Sequence, residues 1–127
     1  MKKLFGALTA AVAIGAIATP VLAHHAVNAQ FDVGKSVPMT GVLEKLDNIN
    51  PHSQWTFQVK NAQGVAEQWK IESLGPAALR RVGVKLKEDI VPGRVYAFTI
   101  APPRQNIKNG LLTSITVNGN KYSMLPN

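Results

Sequence analysis

The chain contains no cysteine, and this absence excludes two kinds of chemistry. Without disulfides, a domain of this size depends on its apolar core for stability. Without thiolates, it has no cysteine-ligated zinc, iron–sulfur cluster or cysteine nucleophile. The sequence also lacks the phosphate loop, dinucleotide fingerprint and serine–histidine–acid context of common enzymes. Its seven acidic residues show no spacing that identifies a catalytic carboxylate pair.

Acidic residues are scarce, since seven of them face fourteen lysines and arginines. Beyond residue 23, the seven acids remain with twelve bases, which gives a formal charge of +5. In that part only Arg80 and Arg81 are adjacent bases, so the clustered patch of a nucleic-acid-binding protein is missing. We therefore expect no nucleic-acid partner. The basic balance is better explained by solubility or by contact with anionic surfaces of the cell envelope.

Residues 1–23 have the pattern of a secretory signal peptide. A positive start and an apolar run over residues 4–18 precede small residues at the cleavage positions, Val21 and Ala23. The run is too short for a transmembrane helix, and no stop-transfer segment follows it. We therefore expect cleavage between Ala23 and His24, a periplasmic or secreted location, and no membrane span in the mature chain.

The 104 residues that follow the expected cleavage suffice for one small domain. Residues 24–37 lack a clear period and are predicted to form an N-terminal arm, and residues 38–127 to form a single β domain. Thr40 to Ile49 is a strand candidate, which the Pro51 bend interrupts.

Two alternating segments predict a β-hairpin. Inward-facing Trp55 and Phe57 would pair with Ile71 and Trp69, across a three-residue loop at 62–64. A slip of one residue would place Trp55 opposite a lysine, which the burial pattern disfavours.

The same register predicts a polar contact on the outward face of the hairpin. It places Gln54 opposite Glu72, and His52 lies two residues before Gln54 on that face. His52 is therefore diagonal to Glu72, at a spacing that long side chains can bridge.

The rest of the chain completes an all-β pattern. Pro76 to Val82 is the single helical stretch that we predict, with Gly83 just past its end. Further strands are expected over 94–100, 111–117 and 121–125, with a polar loop that ends in a turn at Asn109-Gly110. We predict a small barrel of five or six strands, resembling the oligonucleotide/oligosaccharide-binding fold, with one short helix. A small β-sandwich is the alternative.

A series of short motifs, in a fixed order, resembles a known protein family. The motifs are His24-His25, Phe31-Asp32, Gly41-Val42, Asn50-Pro51-His52, Trp69-Lys70-Ile71-Glu72, Gly75-Pro76, Leu79-Arg80-Arg81-Val82-Gly83 and Gly93. Their order resembles a family of small exported bacterial proteins of unknown function, over most of the chain after residue 23. The resemblance implies signal cleavage and a grouping of the three histidines with Glu72, and it implies no activity. Family members often have serine where this chain has Ala26.

Cleavage before His24 would create a copper ligand. The α-amine and the imidazole of an N-terminal histidine chelate one metal ion, and a second imidazole opposite completes a T-shaped set of three nitrogens, known as a histidine brace. Cu(II) prefers tetragonal nitrogen coordination. We expect His24 and His52 to bind copper, His25 to replace His52 or add a nitrogen, and Glu72 to be an axial ligand or to orient an imidazole. The role would be copper buffering or delivery to an envelope protein partner.

Other interpretations stay open at this stage. His24 and His25 could chelate Cu(II) alone, as an exposed site independent of His52, and imidazoles also bind zinc and nickel. The protein could instead be a metal-free binding module of the envelope that presents Trp55, Trp69, Tyr96 and Phe98, with Arg104 and Lys108 as contacts for an anionic ligand. We do not expect an enzyme, although copper-dependent oxidation stays open.

Overall fold

The computed structural model describes residues 26–125. Residues 26–30 are helical, and a separate compact unit begins at Phe31. The described part of this unit consists of short strands and two short helices. They are β1 (Val37–Asp47), β2 (His52–Lys60), β3 (Ala66–Leu74), α1 (Pro76–Arg81), α2 (Leu86–Asp89), β4 (Val95–Ala101), β5 (Asn109–Val117) and β6 (Asn120–Ser123).

Five strands close into a barrel. Their order is β3-β2-β1-β4-β5, and a parallel pairing of β3 with β5 joins the two ends. The helices lie between β3 and β4 in the chain, and β6 extends the sheet beside β5. Strand β1 pairs with both β2 and β4, which is the arrangement of an oligonucleotide/oligosaccharide-binding-like barrel. The predicted all-β barrel is confirmed.

The predicted β2–β3 hairpin has the predicted register. Trp55 pairs with Ile71, Phe57 with Trp69, and Gln54 with Glu72. The alternation of buried and exposed residues fixes this register, because a slip of one residue would turn the apolar side chains toward water. The barrel interior is therefore filled from the odd-numbered positions of β2, and its even-numbered positions face outward.

Aromatic stacking and one buried hydrogen bond hold the centre of the barrel. Trp55 is fully buried, and its ring stacks with Phe57, which in turn stacks on Phe98. The indole nitrogen of Trp55 donates to the Ser73 hydroxyl at 2.7 Å, so its polar atom is satisfied inside the core.

The turn predicted at Asn109-Gly110 is wrong, because these residues begin β5. Asn109 pairs with Lys70 and Gly110 with Ile71, in the parallel pairing that closes the barrel. A Cβ at Gly110 would lie 2.6 Å from Cδ1 of Ile100. The glycine is therefore present for close packing at the closure and not for a turn.

The expectation of a single helix is also wrong, since α2 follows α1. Helix α1 begins with Pro76, and its end has the hydrogen bonds of a Schellman motif. Val84 N–H donates to the Leu79 carbonyl at 3.1 Å, and Gly83 N–H to the Arg80 carbonyl at 3.0 Å, with Gly83 at a φ of 101°. Helix α2 is four residues long, which is too short for an apolar period to appear in the sequence.

The first strand begins earlier than the sequence indicates. It starts at Val37. Phe31, which lies within the predicted arm, is 2% exposed and forms an isolated bridge with Pro103.

Among residues 26–125, no helix combines the length and the apolar character needed to cross a bilayer.

Candidate functional site

His52 and Glu72 form a direct pair on the outer surface of the hairpin. The imidazole Nδ1 lies 2.6 Å from Oε1 of Glu72, with the side chains 49% and 35% exposed. His52 pairs with Leu74 across the strands, so Glu72 is its diagonal neighbour, as the sequence predicts. The two residues meet because β2 and β3 both place even-numbered side chains outward.

The direction of this hydrogen bond selects one nitrogen of His52. An ionised carboxylate can only accept hydrogen bonds. Nδ1 therefore carries the ring proton and donates the hydrogen bond to Glu72. In a neutral imidazole, Nε2 is then left with its lone pair. A histidine that donates one ring N–H to a carboxylate while the other nitrogen binds a metal is a recurrent arrangement in metalloproteins. Of the two roles expected for Glu72, the geometry fits the orienting acceptor.

The residues just before β2 pack closely against the residue that follows β3. The Asn50–Pro51 peptide bond is cis, and Gly75 lies against it from the other side of the hairpin. A Cβ at Gly75 would lie 2.6 Å from the Pro51 carbonyl oxygen and 3.0 Å from Oδ1 of Asn50. This close backbone approach brings the start of β2 against the end of β3, where Glu72 lies.

His24 and His25 lie outside the described residues. Within residues 26–125, no group of three or more histidine, cysteine, aspartate or glutamate side chains could hold a metal ion. Within the described residues, His52 and Glu72 therefore provide one imidazole and one carboxylate, and no further candidate ligand beside them.

Glu72 also borders a small cavity with a mixed polar and apolar lining. Glu72, Gln54 and Lys70 line a space of about 280 Å³ together with residues 107–110 of the last loop and β5. Phe31 and Ile107 add apolar surface beside these polar groups, and His52 is not part of the lining.

A serine next to the pair does not create a catalytic triad. Ser53 follows His52 in β2 but is 0% exposed, because alternation directs it into the barrel. It lies on the opposite face of the strand from the imidazole. The histidine–carboxylate pair therefore has no nucleophile from this neighbour.

Most of the aromatic residues proposed for a binding surface are in the core. Trp55, Tyr96 and Phe98 are at most 3% exposed. Trp69 is half-buried and lines a groove of about 780 Å³, with Met39 among its apolar neighbours. The groove thus offers one aromatic ring and not the set of four.

The loop cation Lys108 is engaged within the protein. Its ammonium group lies 3.0 Å from Oε1 of Glu67, which also accepts from Asn61 at 3.1 Å. The Lys108 hydrogen bond, and then that of Asn61, lower the pKa of Glu67 below its ordinary value. An anionic ligand would have to compete with this carboxylate for Lys108.

A model of one protein family matches residues 11–114. The chain belongs to a family of unknown function, DUF6152. This confirms the resemblance to an unknown-function family that the motifs indicate. No curated protein and no solved structure matches the chain. Membership in DUF6152 therefore brings no activity with it.

Proposed function

We propose that this member of DUF6152 is an exported copper-binding protein, which buffers copper or delivers it to an envelope partner. After cleavage before His24, the α-amine and imidazole of that residue would supply two nitrogens. His52 would supply the third through Nε2, with His25 as an additional nitrogen ligand. Glu72 would orient His52 from behind.

The observation that carries this proposal is the 2.6 Å contact between Nδ1 of His52 and Glu72. It fixes the tautomer and the ring plane of an imidazole that is half exposed. A solvent-exposed histidine without such a partner would lose side-chain freedom on binding a metal, which opposes binding. The carboxylate has already restricted the ring, so less side-chain freedom remains to be lost when a metal binds.

The donor set favours copper among the divalent ions. Imidazole and amine nitrogens bind first-row metals with an affinity that peaks at Cu(II). The free α-amine has a pKa of about 8, well below that of a lysine, so it loses its proton readily on metal binding. The chain has no thiolate that would direct it toward zinc or Cu(I).

The test is a Cu(II) titration with electron paramagnetic resonance on protein that was exported and cleaved by its own signal. Mass spectrometry first establishes that the chain begins at His24. We expect one tight site with a tetragonal nitrogen spectrum, which changes in His52→Ala. Adding one glycine before His24 should make the spectrum independent of His52, because the amine can then no longer chelate together with the imidazole of His24.

Two glutamates of the same strand provide a matched comparison. Glu72→Gln removes the orienting carboxylate and should weaken copper binding by about 10- to 100-fold. Glu67→Gln removes a carboxylate that pairs with Lys108 and should leave binding unchanged. A copper affinity and spectrum that ignore both His52 and Glu72 would reduce the site to an exposed chelate of His24 and His25.

The open groove beside Trp69 favours a second candidate, a metal-free binding module for an apolar ligand or partner. Its lining includes Met39, Val59 and Pro103, and its volume is about 780 Å³. Pockets of this size and character commonly hold small ligands. A Trp69→Leu variant should then lose the ligand, while an extra residue before His24 should have no effect.

A further inference from the structure

A cleft lies between the two helices and the loop that follows β1, and neither His52 nor Glu72 lines it. Its volume is about 680 Å³. Its lining combines apolar walls with three cationic side chains. The cations are Arg80, Lys85 and Lys87, and Glu88 is the one acidic residue of the lining.

The Schellman turn at the end of α1 brings these cations together. Gly83 adopts a left-handed φ of 101°, which reverses the chain between Arg80 and Lys85. Val84 and Leu79, on either side of the turn, are buried and anchor it to the core. The cleft is therefore held by packed backbone, and its cations extend from a fixed frame.

The cations of the cleft are poorly neutralised by the protein. Among the described residues, neither Arg80 nor Lys87 has an ion-pair or hydrogen-bond partner for its side chain. Lys85 lies 3.7 Å from Glu88, and both of these side chains are about 70% exposed, so the pair is loose. The neighbouring carboxylate of Asp89 accepts a hydrogen bond from Asn118.

Helix capping does not account for Arg80. Basic residues in a last turn can stabilise free carbonyl groups of a helix. Here the Leu79 and Arg80 carbonyls already accept backbone bonds from Val84 and Gly83. These two carbonyls therefore do not need the Arg80 guanidinium, which is exposed to solvent.

We propose that this cleft binds a phosphate-class anion, carried either by a soluble molecule or by a phospholipid headgroup. Arg80 would form two parallel hydrogen bonds to the phosphate oxygens, and Lys85 and Lys87 would neutralise the remaining charge. The half-buried apolar side chains of Pro76 and Leu86 would contact the organic part of such a molecule. This site is independent of the proposed copper site.

The test measures binding of three probes to the full exported protein at constant ionic strength. The probes are inorganic phosphate, vesicles of phosphatidylglycerol with phosphatidylcholine, and vesicles of phosphatidylcholine alone. Amide shifts of Gly83 and Val84 report on soluble phosphate, and co-sedimentation reports on vesicles. Binding of phosphate identifies a soluble ligand, and binding of the anionic vesicles alone identifies a headgroup.

A charge-matched variant separates the cleft from the overall charge. Arg80→Gln with Lys87→Gln should weaken binding by about tenfold or more, since each loses a charge-assisted contact. Arg94→Gln with Lys60→Gln removes the same charge away from the cleft lining and should change binding less than twofold. Absence of binding to every probe would overturn the proposal, as would an equal loss in both variants. Unchanged melting temperatures confirm that the variants are folded.

Discussion

The closure of the barrel at Gly110 allows a quantitative test of the fold. A methyl group at this position would lie 2.6 Å from Cδ1 and 3.1 Å from Cβ of Ile100. Ile100 is 1% exposed, so its side chain cannot turn into solvent to make room. Gly110→Ala should therefore strain the contact between β4 and β5 next to the parallel pairing with β3.

Two opposing effects determine the size of the change. Gly110 does not have a positive φ, so alanine fits the backbone and would gain about 0.4–1 kcal/mol by restricting the unfolded chain. Overpacking in a dense core costs about 1–3 kcal/mol. We expect the clash to dominate, with a net loss of about 1–2 kcal/mol in the free energy of unfolding.

Urea denaturation, followed by the fluorescence of Trp55 and Trp69, measures this loss. Gly34→Ala is the matched control, because its nearest atom, Oδ1 of Asp32, lies at an ordinary 3.5 Å. That control should be neutral or stabilising by up to about 1 kcal/mol. The two substitutions are chemically identical, so a difference in sign isolates the clash.

A double-mutant cycle tests the named contact. Ile100→Val removes the closest atom, Cδ1, and should alone cost about 0.5–1.5 kcal/mol. Combined with Gly110→Ala, the total should fall below the sum by at least about 0.5 kcal/mol. Strict additivity, or a Gly110→Ala protein as stable as the parent, would refute the reasoning.

Three further predictions concern other parts of the barrel. In a carboxyl NMR titration, the pKa of Glu67 should lie below its ordinary value of 4.5, and Lys108→Met should raise it. Because the pKa is lower in the folded protein than in the unfolded chain, the pair stabilises the fold at a pH above the unfolded pKa. This stabilisation is lost as the pH falls through the pKa of the folded protein. Gly83→Ala should lower stability by about 1–2 kcal/mol in thermal unfolding, since alanine is strained at a left-handed φ. Trp55→Phe should cost about 1–3 kcal/mol in urea, because it leaves the buried Ser73 hydroxyl without its indole donor.

Local patterns explain why the hairpin could be predicted. The register of β2 and β3 follows from an alternation that is complete within the 23 residues from His52 to Leu74, and one slip would expose Trp55. The contact of His52 with Glu72 then follows from the diagonal spacing of that register. The pair of side chains was predictable because both lie on one hairpin.

The errors arise where distant segments meet. Asn109-Gly110 has the composition of a turn, but its conformation is set by Ile100 and by the parallel strand β3. The cleft between α1 and α2 combines Asn48 with residues 76–88, and its shape depends on the Schellman turn. Neither arrangement leaves a period or a motif in the sequence.

The two faces of strand β2 have different roles in the protein. Odd positions of β2, such as Trp55 and Phe57, fill the barrel, while even positions such as His52 and Gln54 face outward. Exposed substitutions away from special features usually change stability by no more than about 0.5 kcal/mol. The outward-facing residues of β2 can therefore change during evolution with little effect on the stability of the fold. Related proteins could share this barrel and bind different ligands on its surface.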